Sequence, residues 1–189
     1  RLAPKKDEWS KFDVQNCLFI FCIRNPYSWL QAMHREPYYD HYPKIKDLSL
    51  EEFKWVQDTN LTSAFVFSQA MYPYFKKAGA GKIINIGSMY SLFGGPVSTA
   101  YSVSKGGMVQ MTKSMAAAWG TDKIQVNAVL PGWIDTELTR TAREQIDGLY
   151  EKQLARIPDG RWGTPEDHAG IAVFLSSNAS NYITGTAIP

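Results

Sequence analysis

Residues 82–105 read KIINIGSMYSLFGGPVSTAYSVSK. The apolar run Ile83, Ile84 and Ile86 is short enough for a buried strand. It breaks at Gly87, and Met89 to Val97 is a loop passing through Gly94, Gly95 and Pro96. Beyond it, Tyr101 and Lys105 fall one helical turn apart on the same predicted face. A serine at the mouth of a strand, Ser88, followed by a phenol and then an ammonium, is suited to proton transfer. Lys105 favours the phenolate and so lowers the pKa of Tyr101, and Ser88 is placed to hold a substrate oxygen.

Working outward, Ser49–Phe75 is predicted as one long helix. Ser49 and Glu52 form a capping box, and Phe53, Val56, Asn60, Ala64 and Phe67 recur at helical spacing. Asn60 interrupts this apolar stripe, so its amide needs a hydrogen-bond partner as a packing polar group, a kink or a used residue. Asn85, alternating with the isoleucines, is expected to tether neighbouring backbone. A second helix spans Ser98–Trp119, and its Gly106-Gly107 pair suits close packing at a cost in helix propensity.

Ile124–Leu130 is a further buried strand, ended by Pro131-Gly132, and Thr136 is placed as a helix N-cap. Leu138–Ile157 is charged, irregularly helical and poor in apolar anchors, which suits a mobile segment. Thr164 as N-cap and Pro165 at the first helical position introduce a helix over His168–Ser176, and a last strand starts at Tyr182.

Toward the amino end, Leu18–Ile23 (LFIFCI) suits a buried parallel strand stopped by Arg24, Asn25 and Pro26. Arg24 and Asn25 are either site residues at a strand's carboxyl end or a solvated exit. Tyr27–Tyr42 begins as a helix that Pro37 interrupts. His34 and His41 have no partners at metal-ligand spacing, so no metal is expected. Cys17 and Cys22 are predicted free thiols.

A chain of 189 residues fits one domain with a sizeable core. Its formal charge of +2 and 20% charged residues give no reason to expect nucleic acid or a membrane surface as partner. With no run of about 18 apolar residues and no leader pattern, the expectation is a cytoplasmic protein. Nine of the 25 aromatic residues crowd into residues 1–42, setting that segment apart.

Asn60 in DTNLTSAFVFSQAM, Ser88, Tyr101 and Lys105, then Pro131-Gly132 and Thr136, then Arg161 to Glu166, resemble in order and spacing the classical short-chain dehydrogenases/reductases. The resemblance covers residues 49–189 and is nearest in tone to the glucose/gluconate-type branch. It implies an α/β fold, a Rossmann-like doubly wound parallel sheet with helices on both faces. Residues 49–189 match its catalytic half; residues 1–48 form an atypical segment with one strand, where the N-terminal βαβαβ portion is missing or replaced.

The resemblance also implies an oxidoreductase moving a hydride between NAD or NADP and a secondary alcohol or ketone, such as a sugar or polyol. Tyr101 is then the proton donor or acceptor. Lys105 lowers its pKa and bonds the nicotinamide ribose, Ser88 positions the substrate oxygen, and Asn60 relays protons through water. Pro131, Gly132, the Ile134 backbone and Thr136 meet the cofactor. Met89, Leu92, Gly94, Pro96 and Trp133 line the substrate side, and helices 49–75 and 98–119 make a homo-oligomer, a dimer or tetramer. The segment Leu138–Ile157 corresponds to the family's lid.

Two departures stand beside this. No Gly-x-x-x-Gly-x-Gly turn is found to seat a pyrophosphate, and no strand-end residue selects NAD over NADP. The chain as given is therefore expected to bind nucleotide poorly, the alternative being an inactive scaffold that self-associates. FIFCIRNPYSWLQAMHREPYY weakly resembles a piece of nucleotide-dependent sulfotransferases, in which an arginine placed like Arg24 helps bind a 3'-phosphate, although no Lys-bearing phosphate loop accompanies it.

Overall fold

Four parallel strands in the order β1-β2-β3-β4 carry the fold: β1 (Phe19–Phe21), β2 (Gly81–Ile86), β3 (Ile124–Val129) and β4 (Ala187–Ile188). The computed structural model describes residues 19–21, 45–95 and 98–189. The expectations for Cys17, Cys22, Arg24, Asn25, His34, Pro37, His41 and Pro96 lie outside the described residues. Phe19–Phe21 pairs in parallel with Lys82–Ile84, as the apolar run over 18–23 predicts.

The helices are α1 (Leu50–Gln57), α2 (Ser63–Ala78), α3 (Thr99–Trp119), α4 (Glu137–Gln145), α5 (Leu149–Leu154) and α6 (Ala169–Ser176). Strand alternation sends side chains to the two faces of the sheet in turn. On one face Ile83, Ile124 and Val126 pack with Phe75 of α2 and Met115 and Ala116 of α3. On the other, Ile84 and Val129 pack with Leu175 of α6. Covered on both faces, β2 and β3 are buried along almost their whole length, as a Rossmann-like sheet requires.

The predicted single helix over 49–75 is instead α1 and α2 joined by a π-helical turn at Asp58–Thr62, and it runs on to Ala78. The Ser49–Glu52 capping box is present. Gly107 of α3 faces Leu61 in that turn, and a Cβ there would lie 2.7 Å from Leu61 Cδ2. The glycine pair thus serves close helix approach at Gly107, whereas Gly106 is uncrowded.

Asn85 reaches a helix rather than neighbouring backbone: its Nδ2 donates to Thr112 Oγ1 at 2.8 Å. The last strand is shorter than expected because side chains replace part of its ladder. Thr184 Oγ1 accepts from the Val126 N–H, and Asn127 bonds the Ile183 carbonyl and the Thr186 N–H. The irregular stretch 138–157 resolves into α4 and α5, separated by Gly148 in the left-handed region at φ +69°. The expected loop after Ser88 opens as a 3-10 turn, Met89–Ser91. No helix among the described residues is long and apolar enough to cross a membrane.

Candidate active site

The candidate residues converge where β2 and β3 end. Gly87 N–H donates to the Val129 carbonyl at 2.8 Å and Met89 N–H to the Pro131 carbonyl at 3.1 Å, so the two strand exits are clipped together. Open parallel sheets bind ligands at this carboxyl edge. Ser88 is extended and nearly buried, and its Oγ accepts from the Tyr90 N–H at 3.2 Å. Ser91 Oγ accepts from the Ser88 N–H and donates to the Lys105 carbonyl at 2.7 Å, which docks the turn on α3.

Tyr101 and Lys105 lie one turn apart on α3, with Lys105 Nζ 5.7 Å from the Tyr101 ring centroid. The ammonium donates to the Ile86 carbonyl at 2.7 Å, at the last residue of β2. The Tyr101 ring meets Tyr90 edge-on, with centroids 6.1 Å apart. Asn60, buried in the π-helical turn, donates to Ser104 Oγ at 3.0 Å, and Ser104 Oγ donates to the Tyr101 carbonyl at 2.7 Å. π-helical turns recur at functional sites, and here the turn aims the one amide of the stripe at the helix bearing Tyr101. The structure therefore brings Asn60, Ser88, Tyr101 and Lys105 around the first half of α3.

Pro131 and Gly132 leave β3 toward a parallel bridge between Ile134 and Gly163. That bridge closes through Asp135 N–H to the Gly163 carbonyl and Gly163 N–H to the Trp133 carbonyl, at 2.7 and 3.0 Å. The Ile134 N–H faces away from it. Thr136 is the N-cap of α4, in a capping box with Thr139.

A cavity of about 660 Å³ opens here, within the usual range of small-molecule sites. Its lining includes Met89, Gly94, Pro131, Gly132, Trp133 and Ile134, together with Gln153 and Arg156. Tyr90 lines it and packs against Tyr101, while Ser88, Tyr101 and Lys105 are not among its lining residues. Leu92, expected on the substrate side, is absent from the lining and half-exposed, although Phe93 and Gly94 after it line the cavity.

The expected substrate-side residue Trp133 belongs to a cluster whose other members, Trp162, Tyr150 and Arg143, were given no site role by the sequence. Trp162 is buried, stacks on Tyr150 with centroids 5.5 Å apart, and meets Trp133 at 5.1 Å. Arg143 lies over both Trp162 and Tyr150, at 4.8 and 5.4 Å, and bonds Asp135. Arg140 chiefly, with Arg143, holds the Asp135 carboxyl below its usual range. The only sequence signal was aromatic content spread over 30 residues, which has no periodicity to betray it.

Arg161 pairs with Asp167 through two contacts of 2.7 and 3.0 Å and with Asp159 at 2.8 Å. Asp167 also accepts from the Thr164 N–H at 2.7 Å. The Arg161 hydrogen bond first, then that N–H, holds the Asp167 carboxyl far below its usual range. A depressed carboxyl contributes stability above its unfolded pKa of about 3.9 and loses it as pH falls further. Asp167→Asn is therefore expected to lower the unfolding midpoint at pH 7, the gap to the parent narrowing below about pH 4. Urea melts at pH 7, 4 and 3 check this; a gap independent of pH would refute it.

A family model described as enoyl-(acyl carrier protein) reductase matches residues 36–189. The chain is 43% identical over 145 residues to 2-dehydro-3-deoxy-D-gluconate 5-dehydrogenase of Bacillus subtilis, covering 77% of this chain and 57% of that protein. It is 39% identical over 138 residues to 3-oxoacyl-[acyl-carrier-protein] reductase FabG of Thermotoga maritima, covering 73% of this chain and 55% of that one. A gluconate 5-dehydrogenase from Burkholderia cenocepacia, solved in complex with NADP and tartrate, superposes with a TM-score of 0.74 at 32% identity, over 77% of this chain and 57% of that one. The chain thus spans little more than half the length of the relatives it matches.

Proposed function

The chain belongs to the short-chain dehydrogenase/reductase family, and from that premise we propose that it forms the catalytic half, residues 49–189, of an oxidoreductase interconverting a secondary alcohol and a ketone on a sugar- or polyol-type substrate. Residues 1–48 are in this reading an atypical N-terminal segment. The observation that carries the proposal is the gathering of Asn60, Ser88, Tyr101 and Lys105 around the first half of α3, beside the carboxyl end of β2.

Tyr101 takes the proton from the alcohol or returns it to the carbonyl. The Lys105 ammonium favours its phenolate. Ser88 holds the reacting oxygen in line, and Asn60 fixes α3 through Ser104 and relays protons through water. Met89 and Trp133 shape the substrate side. A nicotinamide cofactor, NAD or NADP, when bound supplies or accepts the hydride. The residues present fit one: the Ile134 N–H turned away from its bridge is a ready donor, beside Pro131, Gly132 and Thr136.

The assembly is in this reading a cytoplasmic homo-oligomer, a dimer or tetramer. Phe65, Val66, Phe67 and Tyr74 of α2 and Val103 of α3 are exposed apolar residues, which suits self-association. The same observation favours a second reading, a scaffold without turnover. Titrating the purified chain with NADH and NADPH, then screening polyols for cofactor-coupled absorbance change, separates the two. Binding with turnover, against the poor nucleotide binding that the missing Gly-rich turn predicts, would carry the oxidoreductase reading; a folded oligomer that binds neither cofactor would leave the scaffold.

A further inference from the structure

The hydroxyl of Ser91 joins the backbones of Ser88 and Lys105. Half-buried at the end of the 3-10 turn Met89–Ser91, it accepts from the Ser88 N–H at 3.2 Å and donates to the Lys105 carbonyl at 2.7 Å. A hydroxyl has one proton and two lone pairs, so a single oxygen can do both. That oxygen lies against the strand exit, where a Cβ on Gly87 would come within 3.0 Å of it. The Lys105 carbonyl sits inside α3, where the helix's own ladder already supplies an N–H. Ser91 therefore adds a tertiary link there and not helix stability.

The turn itself does not depend on this hydroxyl. Ser91 N–H donates to the Ser88 carbonyl at 2.8 Å, Leu92 N–H to the Met89 carbonyl at 3.0 Å and Met89 N–H to the Pro131 carbonyl at 3.1 Å. The first half of α3 is also held from elsewhere: Lys105 Nζ bonds the Ile86 carbonyl, and Gln57 Nε2 donates to the Ala100 carbonyl at 2.9 Å. Removing the Ser91 oxygen thus leaves the turn and the helix formed and loosens one against the other.

We propose that Ser91 is a positioning residue, which sets the distance between Ser88 and the Tyr101–Lys105 turn of α3 by holding the backbone of both. Its consequence for turnover rests on the oxidoreductase reading. Ser88 Oγ accepts from the Tyr90 N–H, so its own proton is what it can offer a substrate oxygen. That proton has to reach the same oxygen that the Tyr101 hydroxyl serves. A misplacement of about 1 Å between such groups costs on the order of 10²-fold in rate.

The test compares the full chain as parent, Ser91→Ala and Ser91→Thr, with the Ser91→Ala change repeated in a Ser88→Ala background. Hydrogen exchange of the ¹⁵N-labelled Ser88 amide is followed by NMR without substrate. Turnover and KM are measured on the best substrate of the polyol screen, in long incubations for the Ser88→Ala background. In Ser91→Ala the Ser88 amide is expected to exchange about tenfold faster, the scale of one hydrogen bond. Turnover is expected to fall about ten- to hundredfold with KM within about threefold. Ser91→Thr keeps the oxygen and is expected to restore the slow exchange and most of the rate. Without the Ser88 hydroxyl, Ser91→Ala is expected to cost less than about threefold, because the group it places is gone.

Ser88 exchange unmoved by Ser91→Ala overturns the proposal, whether or not the parent turns over. A rate loss of equal size with and without the Ser88 hydroxyl also overturns it, since that marks a general loosening of the turn. Ser91-dependent exchange in a chain that turns over no polyol removes the oxidoreductase reading and keeps the link between Ser88 and α3.

Discussion

Tyr101→Phe is expected to lower turnover by about 10²- to 10⁴-fold, the scale of losing a positioned proton donor, while leaving the cofactor dissociation constant within about twofold. The substitution removes one oxygen and keeps the ring that packs edge-on against Tyr90. It also keeps the face near Lys105 Nζ and the backbone carbonyl that accepts from Ser104. Fold and cavity wall are therefore preserved, and the loss reports on the hydroxyl alone. Steady-state turnover on the best substrate of the polyol screen, beside a fluorescence titration with NADPH, measures both quantities. A variant retaining more than about a tenth of parent turnover would remove Tyr101 from proton transfer.

The second large effect is on stability. Phe75→Ala is expected to cost about 3–5 kcal/mol, the range for deleting a buried aromatic ring. Phe75 is fully buried and shares a cluster with Ile83, Met115, Ile124 and Val126. The backbone of Gly81 lies flat against its ring, since a Cβ there would come within 2.3 Å of Phe75 Cδ1. No side chain is therefore available at Gly81 to fill the vacated space. Against a typical total of about 5–15 kcal/mol, such a loss takes up a large part of the margin. Urea unfolding with an unchanged m-value would confirm it, and a shift below about 1 kcal/mol would show that the core closes over the gap.

The alternation and length of the apolar runs at 83–86 and 124–130 made the central strands legible, because burial on both faces leaves little room for other residue types. Capping at Ser49, Thr136 and Thr164 was legible for a local reason: a hydroxyl or carboxylate three residues away sets the geometry without help from distant chain. The close approach at Gly107 was foreseen as packing, yet its partner Leu61 lies on another helix and no spacing rule names it. Trp133 was expected on the substrate side, but its cluster with Trp162, Tyr150 and Arg143 escaped for the same reason, since they meet only when α4, α5 and two loops close on one another. Arg161, which pairs with Asp159 and Asp167, and Arg156, which forms no ion pair among the described residues, differ by their neighbours in space, not by their surroundings in sequence.

Within the π-helical turn, Asn60 belongs to a row that continues through Ala64 and Ser68, each step four residues long. In an ideal α-helix a four-residue step overshoots a full turn by about 40°, so such a row drifts away from the wall it serves. The wider turn at 58–62 absorbs part of that drift. It acts as a phase correction that keeps the amide at one end and the Phe75 ring at the other facing inward together. Deleting a single residue there would retime everything downstream. The helix would then have to give up either its hold on Ser104 beside Tyr101 or its seat in the core, so the chemistry and the fold share one clock.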